Sequence, residues 1–305
     1  MTDAGFAPIL SLNPDVEQTL HIPGNLRDWM RTILLMRKGH FTHVFDLDNR
    51  TRTALVTRMS GAKQRIALHH GPHVQMPHAY TTHEIVEADY LENRHITDFY
   101  GRVLRQAPVP YISSAPKLVP REEDSKSIQT IPALANSAAP TVLIHPGSRS
   151  PHRIWPVERF AAVITRLSAC GVSPILVAGP GEQELVQQIQ SRLESPVLTI
   201  DQRLTIPQLA ALFASGDLLL CHDSGPMHLA AAVGTRVVAL FSSQNVATWR
   251  PLGEGHITLQ APMPCSPCLS PGFCKPNDSY FTHCVRYLTV DQVFNAVLQQ
   301  LDRGS

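Results

Sequence analysis

The stretch LLLCHDSGPMHLAAAVGTRVVALF, residues 218–241, sets an acid, a hydroxyl, a glycine and a histidine between two apolar runs. An apolar run that breaks at Asp223, Ser224 and Gly225 and resumes as an alanine-rich segment reads as a strand turning into a helix. Open parallel sheets bind ligands beyond the carboxyl ends of their strands, and Asp223 falls at such an end. Ser224 or Asp223 is placed to cap the helix, and Pro226 suits its first turn, where no N–H is needed. Gly225 lets a ligand approach the backbone closely. Free N–H groups and the positive end of the helix dipole favour an anion there, naturally a phosphate. His228 lies one turn in, within reach of the same ligand. Read alone, the stretch also fits an ordinary capped turn with a half-buried histidine.

Two more strand ends carry the same kind of residues. IHPGSRSPHRIWPVERF (144–160) leaves a strand through Gly147 and Ser148 and enters a helix. Ser148, Ser150, Arg149 and Arg153 supply hydroxyl and guanidinium donors suited to phosphate oxygens. VAGPGEQE (177–184) brings Gly179, Gly181 and Glu182 to a helix start. A carboxylate there complements the helix dipole or accepts hydrogen bonds from a ribose. Three polar, glycine-bearing strand ends in one sheet point to a nucleoside diphosphate site.

The elements that must position these loops follow from periodicity. From residue 141 onward strands and helices alternate. Strands are expected at 141–147, 173–180, 197–201, 217–223 and 236–241, with helices at 156–171, 182–193, 206–216, 225–234 and 289–301. Strands separated by single helices form right-handed βαβ units and a parallel sheet. Earlier in the chain, 24–40 and 52–62 read as helices, and 43–48 and 64–68 as strands. A histidine-rich loop follows, then a helix near 85–106. Residues 107–140 have Pro/Ser-rich linker composition. The division expected is therefore a first domain over 1–120, a linker over 121–140, and a second domain over 141–305. The 305 residues suffice for two cores.

Hydrophobic content of 43%, charged content of 17% and a net charge of +1 describe a globular chain with no nucleic-acid partner. No apolar run has the length of a membrane span, and MTDAGFAPIL lacks the pattern of a signal peptide, so a cytoplasmic location is expected. Cys265, Cys268, Cys274 and Cys284, within a Pro/Gly-rich loop over 264–285, form C-x2-C-x5-C-x9-C. The first pair has metal-knuckle spacing, and four thiolates suit a structural zinc or iron. Reduced thiols or two disulfides are the alternatives. The histidines of 69–83 (His69, His70, His73, His78 and His83) read as a solvated loop.

These motifs resemble glycosyltransferase family 9, the ADP-heptose:lipopolysaccharide heptosyltransferases. The family's mark is a strand, Asp-Thr/Ser-Gly-x-x-His, an alanine-rich helix, a glycine and an apolar strand. Asp223-Ser224-Gly225-Pro226-Met227-His228, AAAVG and RVVALF match it. HPGSRSPHRIWP is similar to a second family motif, with Arg153 where a lysine is usual. ILSLNPDVEQTLHIP (9–23) and FDLDNRTRTALVTRMSGAKQRI (45–66) look like the family's amino-terminal domain.

The resemblance implies a GT-B fold, α/β with two Rossmann-like domains whose parallel sheets face a cleft, the first of them incomplete here and on the acceptor side. By that resemblance Asp223, Ser224 and Gly225 cradle the sugar diphosphate, with Gly147 beside them. His228 packs by the donor, and Arg153 with Ser148 neutralises phosphate charge. Glu182 or Glu184 binds the ribose, and Leu204 falls on the adenine side. The implied reaction is inverting heptose transfer from ADP-heptose or a related nucleotide sugar, without a catalytic metal. The implied acceptor is the lipid A-core saccharide at the inner face of the inner membrane, reached through peripheral contact. A protein acceptor is the alternative, since some relatives that modify autotransporters resemble this chain in carrying cysteine-bound iron. The family begins with a strand and a Gly-Asp loop holding the general base, whereas MTDAGFAPIL aligns with its second strand region. That βα unit and its base are thus expected to be missing, and Asp46 and Asp48 are not promoted in its place. A nucleotide-sugar-binding homologue without activity is the reading this leaves open.

Overall fold

The computed structural model describes all residues except 49, 71–74, 87–92, 109–114, 132–133, 135–138, 269–273, 276–280 and 303–305. Its contacts divide the chain into an amino-terminal unit (Met1–Ala7, Glu17–Ser114) and a carboxyl-terminal unit (Pro8–Val16, Ala115–Ser305).

The amino-terminal unit is built from α1 (Leu26–Lys38), β1 (His43–Asp46), α2 (Thr51–Met59), β2 (Gln64–His70), β3 (Thr82–Val86) and α3 (Ile96–Leu104). Its three strands are parallel in the order β1-β2-β3, with Asp46 beside Ala67 and Ala67 beside His83. Successive side chains of a strand point to opposite faces. Ile66 and Leu68 of β2 accordingly meet Phe99 and Val103 of α3, while Ala67 meets Ala54 of α2 and Tyr80.

Two expectations change here. The helix foreseen over 85–106 is shorter: β3 takes Thr82–Val86 and α3 starts at Ile96, with 87–92 outside the described residues. THEIV forms a strand because its inward Glu84 is satisfied from α3 by Arg102 and by Gln106, whose Nε2 donates at 2.7 Å. His69 is no solvated loop residue. It is fully buried in β2, and its Nε2 lies 3.1 Å from His83 Nδ1. His78 is exposed, and His73 is outside the described residues.

In the carboxyl-terminal unit, α4 (Glu122–Gln129) precedes β4 (Thr141–His145), α5 (Val157–Ala169), β5 (Ser173–Val177), α6 (Gln183–Gln190) and β6 (Thr199–Ile200). Then come α7 (Ile206–Ser215), β7 (Leu218–His222), α8 (Gly225–Ala232), β8 (Arg236–Phe241), β9 (Ile257–Gln260) and α9 (Val290–Asp302). The sheet is parallel throughout, in the order β6-β5-β4-β7-β8-β9. Val142, Ile144, Leu218 and Leu220 face α5 and α9; Leu143, Leu219 and Cys221 face α7 and α8. Every residue of β4 and β7 is buried. Each fully buried Leu or Ile contributes about 1.5–3 kcal/mol. The winding reverses between β4 and β7, which leaves a crevice at their carboxyl ends.

Residues 115–131, whose later part was expected as linker, fold onto this unit. Leu118 N–H donates to Ala232 and Val119 N–H to Leu12, both at 2.8 Å, and α4 buries Asp124 and Ile128. Among the described residues no helix is long and apolar enough to cross a membrane.

Candidate functional site

Arg153 and Asp223 meet where β4 and β7 end. Arg153, carried on the single helical turn Pro151–Arg153, places Nη1 3.3 Å from Asp223 Oδ2 and 3.4 Å from the Asp223 carbonyl. Burial pushes the Asp223 carboxyl above its ordinary pKa, and Arg153 pulls the other way. Ser224 occupies the cap position of α8, but its Oγ donates to the His222 carbonyl at 3.1 Å instead of capping. The expected side-chain cap is therefore not made. Pro226 has no N–H and the Met227 N–H donates to the Ser224 carbonyl at 3.1 Å, so the Gly225 N–H and the positive end of α8 lie beside an arginine, which is anion-binding chemistry. The space beside the Gly225 Cα is open. His228 is half-buried one turn further on.

His222 holds the two loops together. Its ring is fully buried and lies edge-on to Phe160. The Trp155 N–H donates to its Nε2 at 2.9 Å, so Nε2 carries the lone pair and Nδ1 the proton, 3.4 Å from the Gly147 carbonyl. Burial pushes its pKa down to about 3, which keeps the ring neutral. Trp155 is itself fully buried, and its Nε1 donates to Leu288 O at 2.9 Å.

Glu182 is turned inward. Its Oε2 accepts from the Gly179 N–H at 2.8 Å and lies 3.3 Å from His145 Nε2. The carboxylate covers Gly147 so closely that a Cβ at that position would collide with it. Burial lowers the His145 pKa while Glu182 opposes the shift. Glu182 thus ties the ends of β4 and β5, while Glu184 stands exposed on α6. Next to this tie a cavity of about 310 Å³ is lined by His145, Gly179, Gln183, Asp201, Arg203 and Leu204. Gln183, Asp201 and Arg203 were not singled out from sequence, though Asp201 marks the end of β6. The structure brings together Gly147, Arg153, Glu182, Asp223 and Ser224, with Leu204 in the adjoining cavity.

Residues 29–275 match the family model described as glycosyltransferase family 9 (heptosyltransferase). The chain belongs to this family. Lipopolysaccharide heptosyltransferase 3 of Escherichia coli (strain K12) is 28% identical to it over 275 residues, which cover 83% of this chain and 76% of the relative. Among solved structures, the family 9 glycosyltransferase from Veillonella parvula DSM 2008 superposes with a TM-score of 0.83 at 21% identity, covering 99% of this chain and 88% of that one. The E. coli heptosyltransferase WaaC with ADP superposes with a TM-score of 0.65 at 17% identity and the same coverage of both chains. The α/β architecture with open parallel sheets is thus the GT-B type of the family 9 glycosyltransferases.

The cysteine segment of this family member is fastened to the end of β8. Cys268 N–H donates to Ser243 O at 2.7 Å, and Gln260 Nε2 reaches Ser242 O, Gln244 O and Ser266 Oγ at 2.8–3.0 Å. None of the six cysteines is in a disulfide. Burial raises the Cys284 thiol, and Cys265, Cys274 and Cys268 raise it further, so the four thiols share one neighbourhood. Among the described residues, however, no group of three or more His, Cys, Asp or Glu is disposed to hold a metal ion.

Proposed function

We propose that this glycosyltransferase takes heptose from ADP-heptose, or a closely related nucleotide sugar, and transfers it to a lipopolysaccharide-core saccharide on the cytoplasmic side of the membrane. The observation carrying the donor half of this reading is the uncapped start of α8 beside Arg153. A diphosphate would take the Gly225 N–H at the positive end of α8 and the guanidinium donors that Asp223 leaves unused. The nucleoside would fill the cavity at Leu204, with Gln183 and Asp201 near the ribose. Glu182 would serve that site by fixing the loop at Gly147, and His228 would pack against the sugar.

In the inverting reaction implied by the family resemblance, an acceptor hydroxyl oxygen attacks C1 of the heptose opposite the diphosphate. The C1–O bond to phosphate breaks, its electrons leave with ADP, and the hydroxyl proton passes to a base. Arg153 and the α8 terminus stabilise the charge that develops on the departing diphosphate. No metal enters these steps, and none of the residues described above is assigned as the base.

Calorimetric titration with ADP tests the donor half. Micromolar to millimolar binding is expected, weakened at least about tenfold in Arg153→Ala, the size of one lost charge-assisted contact. Absence of ADP binding at millimolar concentration, or full binding by Arg153→Ala, would overturn it.

A further inference from the structure

The Arg153 guanidinium is held less by its carboxylate partner than by the backbone behind it. Nη1 stands 3.3 Å from Asp223 Oδ2 and 3.4 Å from the Asp223 carbonyl. A closed guanidinium–carboxylate pair sits at about 2.7–2.9 Å. The backbone hydrogen bonds around Arg153, from its own N–H to Ser150 O at 3.0 Å and from Ile154 N–H to Pro151 O at 3.2 Å, shape the turn internally. The anchor comes two residues later. Trp155 is fully buried, with its ring edge-on to Phe160 at 5.1 Å between centroids and its Nε1 donating to Leu288 O. Its main-chain N–H donates to His222 Nε2 at 2.9 Å, while His222 Nδ1 faces the Gly147 carbonyl at 3.4 Å. One buried ring at the end of β7 thus closes both ends of the loop that carries Ser148 and Arg153.

We infer that His222 is a positioning residue for the donor site. Through the Trp155 N–H it holds Arg153 short of a closed pair with Asp223, so that the guanidinium stays turned to a diphosphate. This deepens the donor reading and rests on it. A group acting in this way must be rigid and must keep a lone pair for the Trp155 N–H. His222 meets both conditions. Its ring is edge-on to Phe160 at 5.6 Å between centroids, which fixes its plane. Burial first, then the nearby His145 and Arg153, disfavour a proton on it, while the Gly147 carbonyl pulls the other way. With the Trp155 contact removed, the turn Pro151–Arg153 can shift as a unit and the guanidinium can close onto Asp223. That closure withdraws donors from the ligand without unfolding the strand end.

Titration of ADP into the full chain and three variants at this position tests it. His222→Gln keeps an acceptor where Nε2 stands, His222→Asn keeps a donor where Nδ1 stands, and His222→Phe keeps a ring and neither contact. ADP affinity is expected to stay near native in His222→Gln and to fall at least about tenfold in His222→Asn and His222→Phe. Adding Arg153→Ala to His222→Phe should cost little more, because both substitutions remove one contribution. Hydrogen exchange at the Trp155 amide should quicken in the Asn and Phe variants but not in the Gln variant. A ring that only packs would lower the melting temperature and leave the ADP affinity of the folded chain unchanged. Equal ADP binding by the native chain and His222→Phe, or full additivity with Arg153→Ala, overturns this inference and leaves the donor reading standing. No ADP binding by the native chain overturns both. If His222→Phe folds poorly, the Asn and Gln variants carry the same comparison, and equal affinity in those two overturns the inference.

Discussion

In the six-stranded sheet the buried strands are apolar from Val142 to Ile144 and from Leu218 to Cys221, and polar side chains appear where the strands end. The three-stranded sheet buries Glu84 in the middle of β3, with Asp46 and His69 at and near the ends of β1 and β2. Its helices meanwhile leave leucines and methionines in water. The first sheet concentrates its polar groups at the strand ends, where a ligand can reach them. The second spends polar groups on internal pairings such as Glu84 with Arg102 and Tyr80 with Asp46, the latter at 2.8 Å. The difference explains why one unit presents a recognisable site and the other a surface.

The largest effect expected to sharpen this contrast is a pH dependence seated in the carboxyl-terminal unit. The folded-state pKa of His222 is about 3, against an ordinary value of 6.5. Between those values the unfolded chain binds the extra proton, so stability rises with pH. It is full above pH 6.5 and falls as the pH drops toward 3, by roughly 4–5 kcal/mol in all. Urea denaturation followed across this range should show the slope. His222→Asn, which can still donate to Gly147, should make it shallower by about one proton. An unchanged slope would mean that the strand-end histidine is not what sets acid stability.

A smaller effect is expected at the junction of the β4 and β5 loops. Gly147→Ala should drive the Glu182 carboxylate off His145 and the Gly179 N–H, costing about 1–3 kcal/mol. Glu182→Ala should cost a similar amount, and the double substitution no more than either alone, because both remove one contact. Additive losses measured by thermal melting would separate the two positions. Smallest is Tyr80→Phe in the amino-terminal unit, which removes the hydrogen bond to Asp46 at a cost of about 1 kcal/mol. Burial and this bond hold the tyrosine proton well above its ordinary pKa. A loss above that of Glu182→Ala would break the view that the carboxyl-terminal unit carries the more consequential polar contacts.

Legibility in the sequence follows the same division. Runs such as LLLCHD and TVLIHPG are buried on both faces and stop at polar or glycine residues, so their type, their ends and the loops beyond them can be read directly. β3 hides because THEIV carries a histidine and a glutamate whose partners, Arg102 and Gln106, are distant in sequence. α4 hides because EEDSKSIQ buries only Asp124 and Ile128, so its composition resembles a linker. β9 is short and half-buried at a sheet edge, and its alternation in ITLQ spans too few residues to stand out. Within the site, residue types and strand-end positions were readable. The inward turn of Glu182, the failure of Ser224 to cap and the role of His222 were not. Each depends on which of several neighbours a side chain meets in space.

The contact of Glu182 with Gly147 also constrains how such a sequence can change over time. A side chain at position 147 becomes tolerable once position 182 has been shortened or turned away, and costs most before that. Substitutions at the two positions therefore carry an order of arrival, with the change at 182 permissive for the one at 147. Lineages that keep glycine at 147 can hold a long acid at 182. Those that lose the glycine are expected to have lost the acid first.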